Sequence, residues 1–156
     1  SGKRSLKFQD APDLQFAFNP HLVYAPRHAA GTTQCAFDLR LGPGAVMYHE
    51  WRDDANPYRV GPSFWIRDGR LSTAGKELMA VPAEQWVHIE VIAKLGSKAA
   101  GTWQLAVRLQ GAESKSFGDL KTGSADWRKL DWLGFVSNAE AKTAFYLDNL
   151  LVTNER

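Results

Sequence analysis

Two stretches of this chain alternate apolar and polar residues with a period of two, and this alternation constrains the fold more than any other feature of the sequence. In residues 84–109, Val87, Ile89 and Val91 point to one side of an extended chain, and the residues between them point to the other. The pattern repeats after a glycine-containing turn within this stretch, and residues 145–152 carry a similar run. The alternation predicts antiparallel strands with one buried and one solvated face.

Length and composition favour one globular domain. We expect residues 1–156 to form a single domain, excised from a larger protein, because the chain starts without a signal peptide. No apolar run approaches the roughly 18 residues of a membrane span, so we expect no membrane partner. The net charge is +2 and the basic residues are scattered, which makes nucleic acid a poor candidate partner. The single cysteine, Cys35, is expected to be a small buried side chain without an internal disulfide.

Glycine and proline punctuate the whole chain, and helical periodicity is limited to a short turn near residues 137–141. The sequence Arg67-Asp68-Gly69-Arg70 predicts a hairpin with a type I′ turn. Residues 110–123 are polar enough to form a long surface loop. About a dozen short strands predict an all-β fold, a two-sheet antiparallel β-sandwich rather than a small barrel. The expected strands are residues 5–9, 14–18, 21–24, 33–41, 45–52, 62–67, 70–72, 77–80, 86–94, 102–109, 129–137 and 143–153.

Alternation also assigns the side chains of each strand to a face. The odd-numbered residues of 35–41 are all apolar and are expected to be buried, and Phe64 and Ile66 are expected to point inward beside them. In residues 46–52 we place the charged alternate set outside, which buries His49, an uneasy core residue because of its polar ring.

The outward residues predict a sugar-binding face. A pyranose ring stacks its apolar side on Trp or Tyr, and its hydroxyl groups exchange hydrogen bonds with Arg and carboxylates. The alternative is an ordinary solvated sheet with the cross-strand ion pairs Glu50–Arg67 and Arg52–Glu90, each of little energetic value. The predicted face comprises Asp38, Arg40, Tyr48, Glu50, Arg52, Trp65, Arg67, His88 and Glu90.

The other tryptophans receive different interpretations. Trp103 is expected in the core, Trp86 is expected to have a structural role at the start of a strand, and Trp132 is expected to pack. Trp51 is ambiguous. The acidic and aromatic loop at residues 53–59 is a candidate rim for a binding site.

Three segments carry a family pattern. They are Gly2-Lys3-Arg4-Ser5-Leu6-Lys7-Phe8, Val81-Pro82-Ala83-Glu84-Gln85-Trp86-Val87-His88-Ile89-Glu90-Val91 and Phe145-Tyr146-Leu147-Asp148-Asn149-Leu150. Together they resemble the concanavalin A-like jelly-roll superfamily, which includes laminin G-type lectin domains, many carbohydrate-binding modules and some glycan-cleaving enzymes. The resemblance implies a jelly roll whose final strand lies beside the first, and it does not settle the function.

The resemblance also implies a metal site, because jelly-roll sugar-binding modules often hold a structural calcium ion. Asp10 and Asp148 are the candidate oxygen ligands. The alternative is that Asp148 caps a turn or accepts a backbone hydrogen bond. No zinc spacing occurs among the four histidines and the one cysteine, and no other cofactor is expected.

We therefore predict a non-catalytic carbohydrate-binding module that recognises a polysaccharide on the concave sheet face. It would be tethered to other domains of a secreted, extracellular or periplasmic protein. Arg40, Arg52 and Arg67 on one face lean toward an acidic polysaccharide. A protein-interaction or structural sandwich is the alternative without a sugar site.

An enzyme built on the same face is the other alternative. Glu50 and Glu90 are a candidate acid and base for glycoside hydrolysis, which needs two nearby carboxylates. A polysaccharide lyase would use His88 or Tyr48 as base, with Arg52 neutralising a uronate. Glycan-cleaving members of the superfamily often carry two Glu and one Asp alternating on one strand, and no Glu-x-Asp-x-x-Glu run occurs here, which argues against hydrolysis.

Overall fold

Twelve strands and one short 3₁₀ turn, Gly96–Lys98, make up the regular structure of residues 4–155, which the computed structural model describes. Residues 1–3 and 156 lie outside the described residues, and so do the first two residues of the opening motif, Gly2 and Lys3. The strands are β1 Leu6–Gln9, β2 His21–Tyr24, β3 Gly31–Leu41, β4 Met47–Arg52, β5 Val60–Arg67, β6 Arg70–Thr73, β7 Lys76–Ala80, β8 Trp86–Leu95, β9 Thr102–Leu109, β10 Lys115–Lys121, β11 Trp132–Ser137 and β12 Ala144–Glu155.

The strands form two six-stranded antiparallel sheets, which confirms the predicted β-sandwich. Sheet A has the order β1-β12-β3-β8-β9-β10, and sheet B has the order β2-β11-β4-β5-β6-β7. Strand β12 pairs with β1 on one side and with β3 on the other, so the final strand lies beside the first, as the resemblance implied. No helix within residues 4–155 is long and apolar enough to cross a membrane.

The core lies between the two sheets, and it is built from the residues that the alternation selected. Burial alternates without a break along β3, where Cys35, Phe37 and Leu39 are fully buried. Burial raises the pKa of the Cys35 thiol to about 12, so this cysteine is a small apolar side chain, as expected. Phe64 and Ile66 of β5 are also fully buried, which confirms their predicted direction.

His49 lies in this core, where its Nε2 is hydrogen-bonded and its ring is packed among aromatic side chains. Trp51 Nε1 donates a hydrogen bond of 2.8 Å to His49 Nε2, and the rings of Phe37, Phe64 and Phe135 lie 4.6–5.4 Å away between centroids. Burial lowers the pKa of His49 to about 3, against a smaller raising effect of the Gly134 backbone. The ring is therefore a neutral aromatic side chain, and the predicted orientation of β4 is confirmed.

Most predicted strands are present with shifted ends, and the predicted hairpin is confirmed. Arg67 pairs with Arg70, and both central residues have positive φ, 51° for Asp68 and 69° for Gly69, as a type I′ turn requires. The expected helical turn near residues 137–141 is wrong, because β11 continues through Ser137 and no helix follows.

Two further segments differ from expectation. Residues 14–18 alternate in hydropathy but form turns, one of them closed by a hydrogen bond from Asn19 N to Phe16 O. Within the expected surface loop 110–123, strand β10 forms an edge of sheet A. A register shift between Phe117 and Leu120 gives its apolar residues an odd spacing, which hides the strand in the sequence.

Candidate functional site

An open groove with a cavity volume of about 530 Å³ lies on the outer face of sheet B. Its size is within the usual range of small-ligand sites. Six of its nine lining residues are aromatic or histidine side chains, and none is a carboxylate. We call it the sheet B groove, and its lining residues are Phe18, His21, Tyr48, Arg52, Tyr58, Trp65, Trp132, Val136 and Asn138.

Arg52 of β4 is held between two aromatic rings in this groove. Its guanidinium carbon lies 4.2 Å from the centroid of the Tyr58 ring and 4.1 Å from that of the Trp132 ring. One ring comes from the loop that follows β4 and the other from β11. Both contacts are cation–π interactions, which favour the charged planar side chain and fix its orientation.

The partner of Arg52 within the protein is Glu50, two residues earlier on the same strand. Arg52 Nε donates to Glu50 Oε1, and Glu50 is buried. Burial raises the pKa of Glu50, whereas the hydrogen bond and charge of Arg52 act in the lowering direction. Within residues 4–155, neither Nη nitrogen of Arg52 donates to a protein acceptor. Two charged donors therefore stay available at the end of the side chain.

Tyr58 reaches Arg52 because the loop 53–59 is folded around Asp53. The buried Asp53 carboxylate accepts hydrogen bonds from Ala55 N (3.1 Å), Arg59 N (2.8 Å) and Arg59 Nε (2.5 Å). Burial alone would raise the pKa of Asp53, but the hydrogen bonds from Arg59 and Ala55 outweigh it and lower the pKa. The loop that the sequence indicated as a rim thus brings Tyr58 to the groove.

Trp132 of β11 lies directly opposite Arg52 in the pairing of β11 with β4. A Cβ atom added at Gly134 would lie 2.0 Å from the Trp132 ring, so this glycine leaves the space in which the ring lies flat on the sheet. Trp132 was expected only to pack. A glycine two residues after a tryptophan in a strand is the signal that could have indicated the flat ring.

The centre of the groove is a pair of stacked aromatic rings. Tyr48 of β4 and Trp65 of β5 are cross-strand neighbours, and their ring centroids lie 4.3 Å apart at an interplanar angle of 23°. Both side chains are half-buried. The guanidinium of Arg67 lies 5.2 Å from the centroid of Trp65.

The end of the groove near β2 is made by residues that the sequence interpretation missed. The rings of Phe16 and Phe18 are stacked with their centroids 5.0 Å apart, and Phe18 lies 5.9 Å from the ring of His21. About half of each Phe side chain is exposed. These residues were missed because the segment 14–18 was interpreted as a strand, in which alternate aromatic residues are normally buried.

The expectation that all the predicted ligand residues share one face is wrong. Alternation reveals which side of a strand is outward, but not which of the two sheets the strand joins, because that depends on pairing between distant parts of the chain. Tyr48, Glu50, Arg52, Trp65 and Arg67 belong to sheet B. Asp38, Arg40, His88 and Glu90 belong to sheet A, on the opposite side of the sandwich.

Three of the sheet A residues, Asp38, His88 and Glu90, form a hydrogen-bonded network. His88 Nδ1 lies 2.7 Å from Asp38 Oδ1, and His88 Nε2 lies 3.1 Å from Glu90 Oε1. Asn149 Nδ2 donates to the second Asp38 oxygen (2.5 Å), and Gln34 Nε2 donates to the second Glu90 oxygen (3.3 Å). These carboxylates are therefore occupied by neighbouring side chains.

The separation of the sheets also corrects the expected pairs. Arg52 pairs with Glu50 rather than with Glu90, which lies on the other sheet. The pair Glu50–Arg67 is not formed among the described residues, and Arg40 pairs with Glu84. Because Glu50 and Glu90 face opposite sides of the sandwich, they cannot act together on one glycosidic bond, and His88 cannot serve as a base beside Arg52.

The two predicted calcium ligands lie apart. Asp10 is buried, and its Oδ2 accepts hydrogen bonds from Ser137 Oγ (2.9 Å) and Ala139 N (2.6 Å). Asp10 N donates a backbone hydrogen bond to Thr143 O, so Asp10 lies beside Thr143. Asp148 is five residues after Thr143, and five residues of extended chain span about 16 Å. Asp148 Oδ1 accepts from Asn149 N (2.8 Å). No group of three or more His, Cys, Asp or Glu side chains within residues 4–155 is arranged so that it could hold a metal ion, and calcium binding stays a prediction.

No protein-family model matches the sequence, and no curated protein sequence matches it. Solved structures do match over nearly the whole chain. An endo-β-1,4-glucuronan lyase from the fungus Trichoderma reesei has 12% identity and a TM-score of 0.68, covering 99% of this chain and 83% of the lyase. A carbohydrate esterase from the Shiga toxin-encoding bacteriophage phi24B has 14% identity and a TM-score of 0.60, covering 97% of this chain and 81% of the esterase.

An alginate lyase from Aplysia kurodai also matches, with 9% identity and a TM-score of 0.57, covering 96% of this chain and 98% of the lyase. At such identities the likeness establishes the fold alone. The chain has the jelly-roll β-sandwich fold that these structures share, which is the fold that the resemblance of the three sequence segments implied.

Proposed function

We propose that this jelly-roll domain is a non-catalytic carbohydrate-binding module and that a polysaccharide binds in the sheet B groove. The observation that carries the proposal is the combination of the half-buried Tyr48–Trp65 stack with the orientated guanidinium of Arg52 in one open groove. A sugar ring stacks its apolar side on such rings, and its hydroxyl oxygens accept from an arginine. A long glycan chain can lie across an open groove without having to enter an enclosed cavity.

The alternative of an ordinary solvated sheet explains this groove less well. Solvated sheet faces normally carry isolated polar side chains, and large aromatic residues that gather on a surface mark a binding site. Here Phe18, Tyr58 and Trp65 line the same depression as Trp132. The rings are held in place by the Asp53 loop and by Gly134, so they need little rearrangement to bind a ligand.

The similar structures support a carbohydrate as the ligand. The three described above are named as a glucuronan lyase, a carbohydrate esterase and an alginate lyase. A domain of this kind fits best as one part of a larger secreted or periplasmic protein that acts on glycans. We also propose that a structural calcium ion binds at Asp10 or Asp148.

A polysaccharide lyase is the second candidate, and one observation favours it. Tyr48, a candidate base, and Arg52, a candidate partner for a uronate carboxylate, line the same groove, with His21 nearer the β2 end. Hydrolysis by a carboxylate pair is not supported, because the lining residues include no carboxylate and Glu50 is buried and bound to Arg52.

Affinity electrophoresis against a panel of neutral and uronic-acid polysaccharides tests the proposal. The variants Trp65→Ala and Arg52→Ala should lose the retardation that the wild-type domain shows. Trp86→Ala is the matched control, because Trp86 is 36% exposed on the other sheet, and it should retain the retardation.

The same mixtures should be assayed for new reducing ends and for unsaturated uronates. Unsaturated product that disappears in Tyr48→Phe would replace the binding module with the lyase. Retardation lost only in Trp86→Ala would move the site to sheet A. The absence of both retardation and product would overturn the carbohydrate proposal in favour of a protein-interaction or structural role.

A further inference from the structure

We infer that the ligand of the sheet B groove is an acidic polysaccharide, and that Arg52 binds a uronate carboxylate through its two Nη nitrogens. This inference rests on the proposed function and adds the substrate class.

Within residues 4–155, the two Nη nitrogens of Arg52 have no protein acceptor. The guanidinium is packed against the rings of Tyr58 and Trp132. Its Nε donates to Glu50. The donors left for a ligand are therefore those at the end of the guanidinium, where Nη1 and Nη2 present two N–H groups side by side.

The Nη end of the Arg52 guanidinium matches the shape of a carboxylate. Two parallel N–H groups in one plane are complementary to the two oxygens of a carboxylate, which binds them as a bidentate pair. A lone sugar hydroxyl offers a single oxygen and so does not match the two parallel donors as a carboxylate does. Tyr58 and Trp132 also displace water from around the guanidinium, which strengthens its attraction to an anionic partner.

The charges around the groove also favour an acidic ligand. No residue lining the groove is acidic, and Glu50, which accepts from Arg52 Nε, is buried. The exposed guanidinium of Arg67, 5.2 Å from the centroid of Trp65, adds a second positive charge beside the Tyr48–Trp65 stack. A polyanionic chain that stacks on Trp65 would therefore meet two arginines and no acidic side chain among the residues lining the groove.

The experiment compares a glucuronate oligosaccharide with the same oligosaccharide after its carboxylates have been reduced to primary alcohols. Both probes share their linkage and ring shape and differ in charge. Isothermal titration should show that the wild-type domain binds the acidic probe about 10- to 100-fold more tightly, as expected for one charge-assisted bidentate pair. Affinity for the acidic probe should also fall as salt is raised.

The variant Arg52→Lys keeps the positive charge and loses the planar pair of donors. It should lose most of the preference for the acidic probe and keep the affinity for the reduced probe within a few fold. Arg67→Gln is the matched variant, in which the preference should fall by less than in Arg52→Lys. Thermal unfolding of each variant shows whether the fold is intact.

Three outcomes would overturn the inference. Equal affinity for the two probes, unchanged in Arg52→Lys, would mean that the groove binds neutral glycans, and the proposed function would still stand. Equal or tighter binding of dextran sulfate, compared with the glucuronate probe, would replace carboxylate recognition by general attraction of anions. Failure to bind any of the probes, or any neutral polysaccharide of the panel, would remove the proposed function itself.

Discussion

The ring of Trp132 lies over the backbone of Gly134, so closely that a Cβ atom at position 134 would come within 2.0 Å of the ring carbon Cη2. Gly134 is paired with Glu50 across the β11–β4 ladder. The two strands thus supply the flat ring, the arginine that it covers and the buried carboxylate beneath it. The packing of one side chain on one glycine is therefore a condition for the geometry of the whole Arg52 environment.

This packing predicts the effect of Gly134→Ala. The added methyl group must displace the Trp132 ring, and this displacement removes one of the two cation–π contacts of Arg52. We expect a loss of about 1–3 kcal/mol in the free energy of unfolding, which is typical of overpacking, and weaker glycan binding. Urea denaturation and isothermal titration measure the two effects. Gly118→Ala is the matched control, because a Cβ atom at Gly118 of β10 meets no atom within 4 Å; equal effects at both positions would contradict this account.

The loop that carries Tyr58 makes a second prediction. Asp53→Ala removes the acceptor for Ala55 N, Arg59 N and Arg59 Nε, so we expect a loss of about 2–4 kcal/mol in the free energy of unfolding. Glycan affinity should also fall, because Tyr58 is no longer held against Arg52. Asp54→Ala serves as control, since the Asp54 carboxylate is 62% exposed and pairs with Lys129 at the surface; it should cost less than about 1 kcal/mol.

The buried histidine predicts a dependence of stability on pH. The pKa of His49 is about 3 in the folded protein and ordinarily 6.5, so the unfolded chain binds more protons between these values. Stability from this group is then fully present above pH 6.5 and is lost as pH falls toward 3, by on the order of 5 kcal/mol. His49→Gln, which keeps an acceptor for Trp51 Nε1, should flatten this part of the stability profile. An unchanged acid slope in urea titrations from pH 7 to pH 4 would show that His49 is not the group responsible.

Glu50 predicts a pH dependence of stability opposite in sign to that of His49. Burial raises its pKa above 4.5, with Arg52 opposing the rise, so the folded protein holds a proton that the unfolded chain has already released. The contribution of Glu50 to stability therefore decreases as pH rises from about 4.5 through its folded pKa, by at most about 1.4 kcal/mol per pH unit. Glu50→Gln keeps an acceptor for Arg52 Nε and should show no such decrease. If the difference in stability between Glu50→Gln and wild type does not change across this pH range, Glu50 titrates normally.

The local features of the fold were readable from the sequence because they depend on neighbouring residues. Period-two alternation placed Phe37 in the core and Trp65 on the surface, and the Asp68-Gly69 pair identified its turn. The fold class followed from the number and spacing of such segments. Strand β10 was missed because a register shift breaks its alternation between Phe117 and Leu120.

The candidate site was only partly predictable because it depends on pairing between distant segments. Arg52 and Trp65 were identified by type and direction, whereas Trp132 joins them only because β11 pairs with β4 from 80 positions further along the chain. Conversely, His88 resembled a partner of Arg52 in sequence pattern, and its strand lies in the other sheet. Alternation carries no information about sheet membership, which is decided by loop lengths and by the packing of the whole core.

Strand β4 contributes Met47, His49 and Trp51 to the core, and it directs Tyr48, Glu50 and Arg52 to the outer face of sheet B. An insertion or deletion of one residue early in β4 would exchange the faces of the residues that follow it, which would turn Arg52 toward the core and Trp51 toward solvent. Changes to the surface that β4 gives to the sheet B groove are therefore confined to point substitutions at alternate positions of this strand, while changes of length can be accommodated only in the loops at its ends.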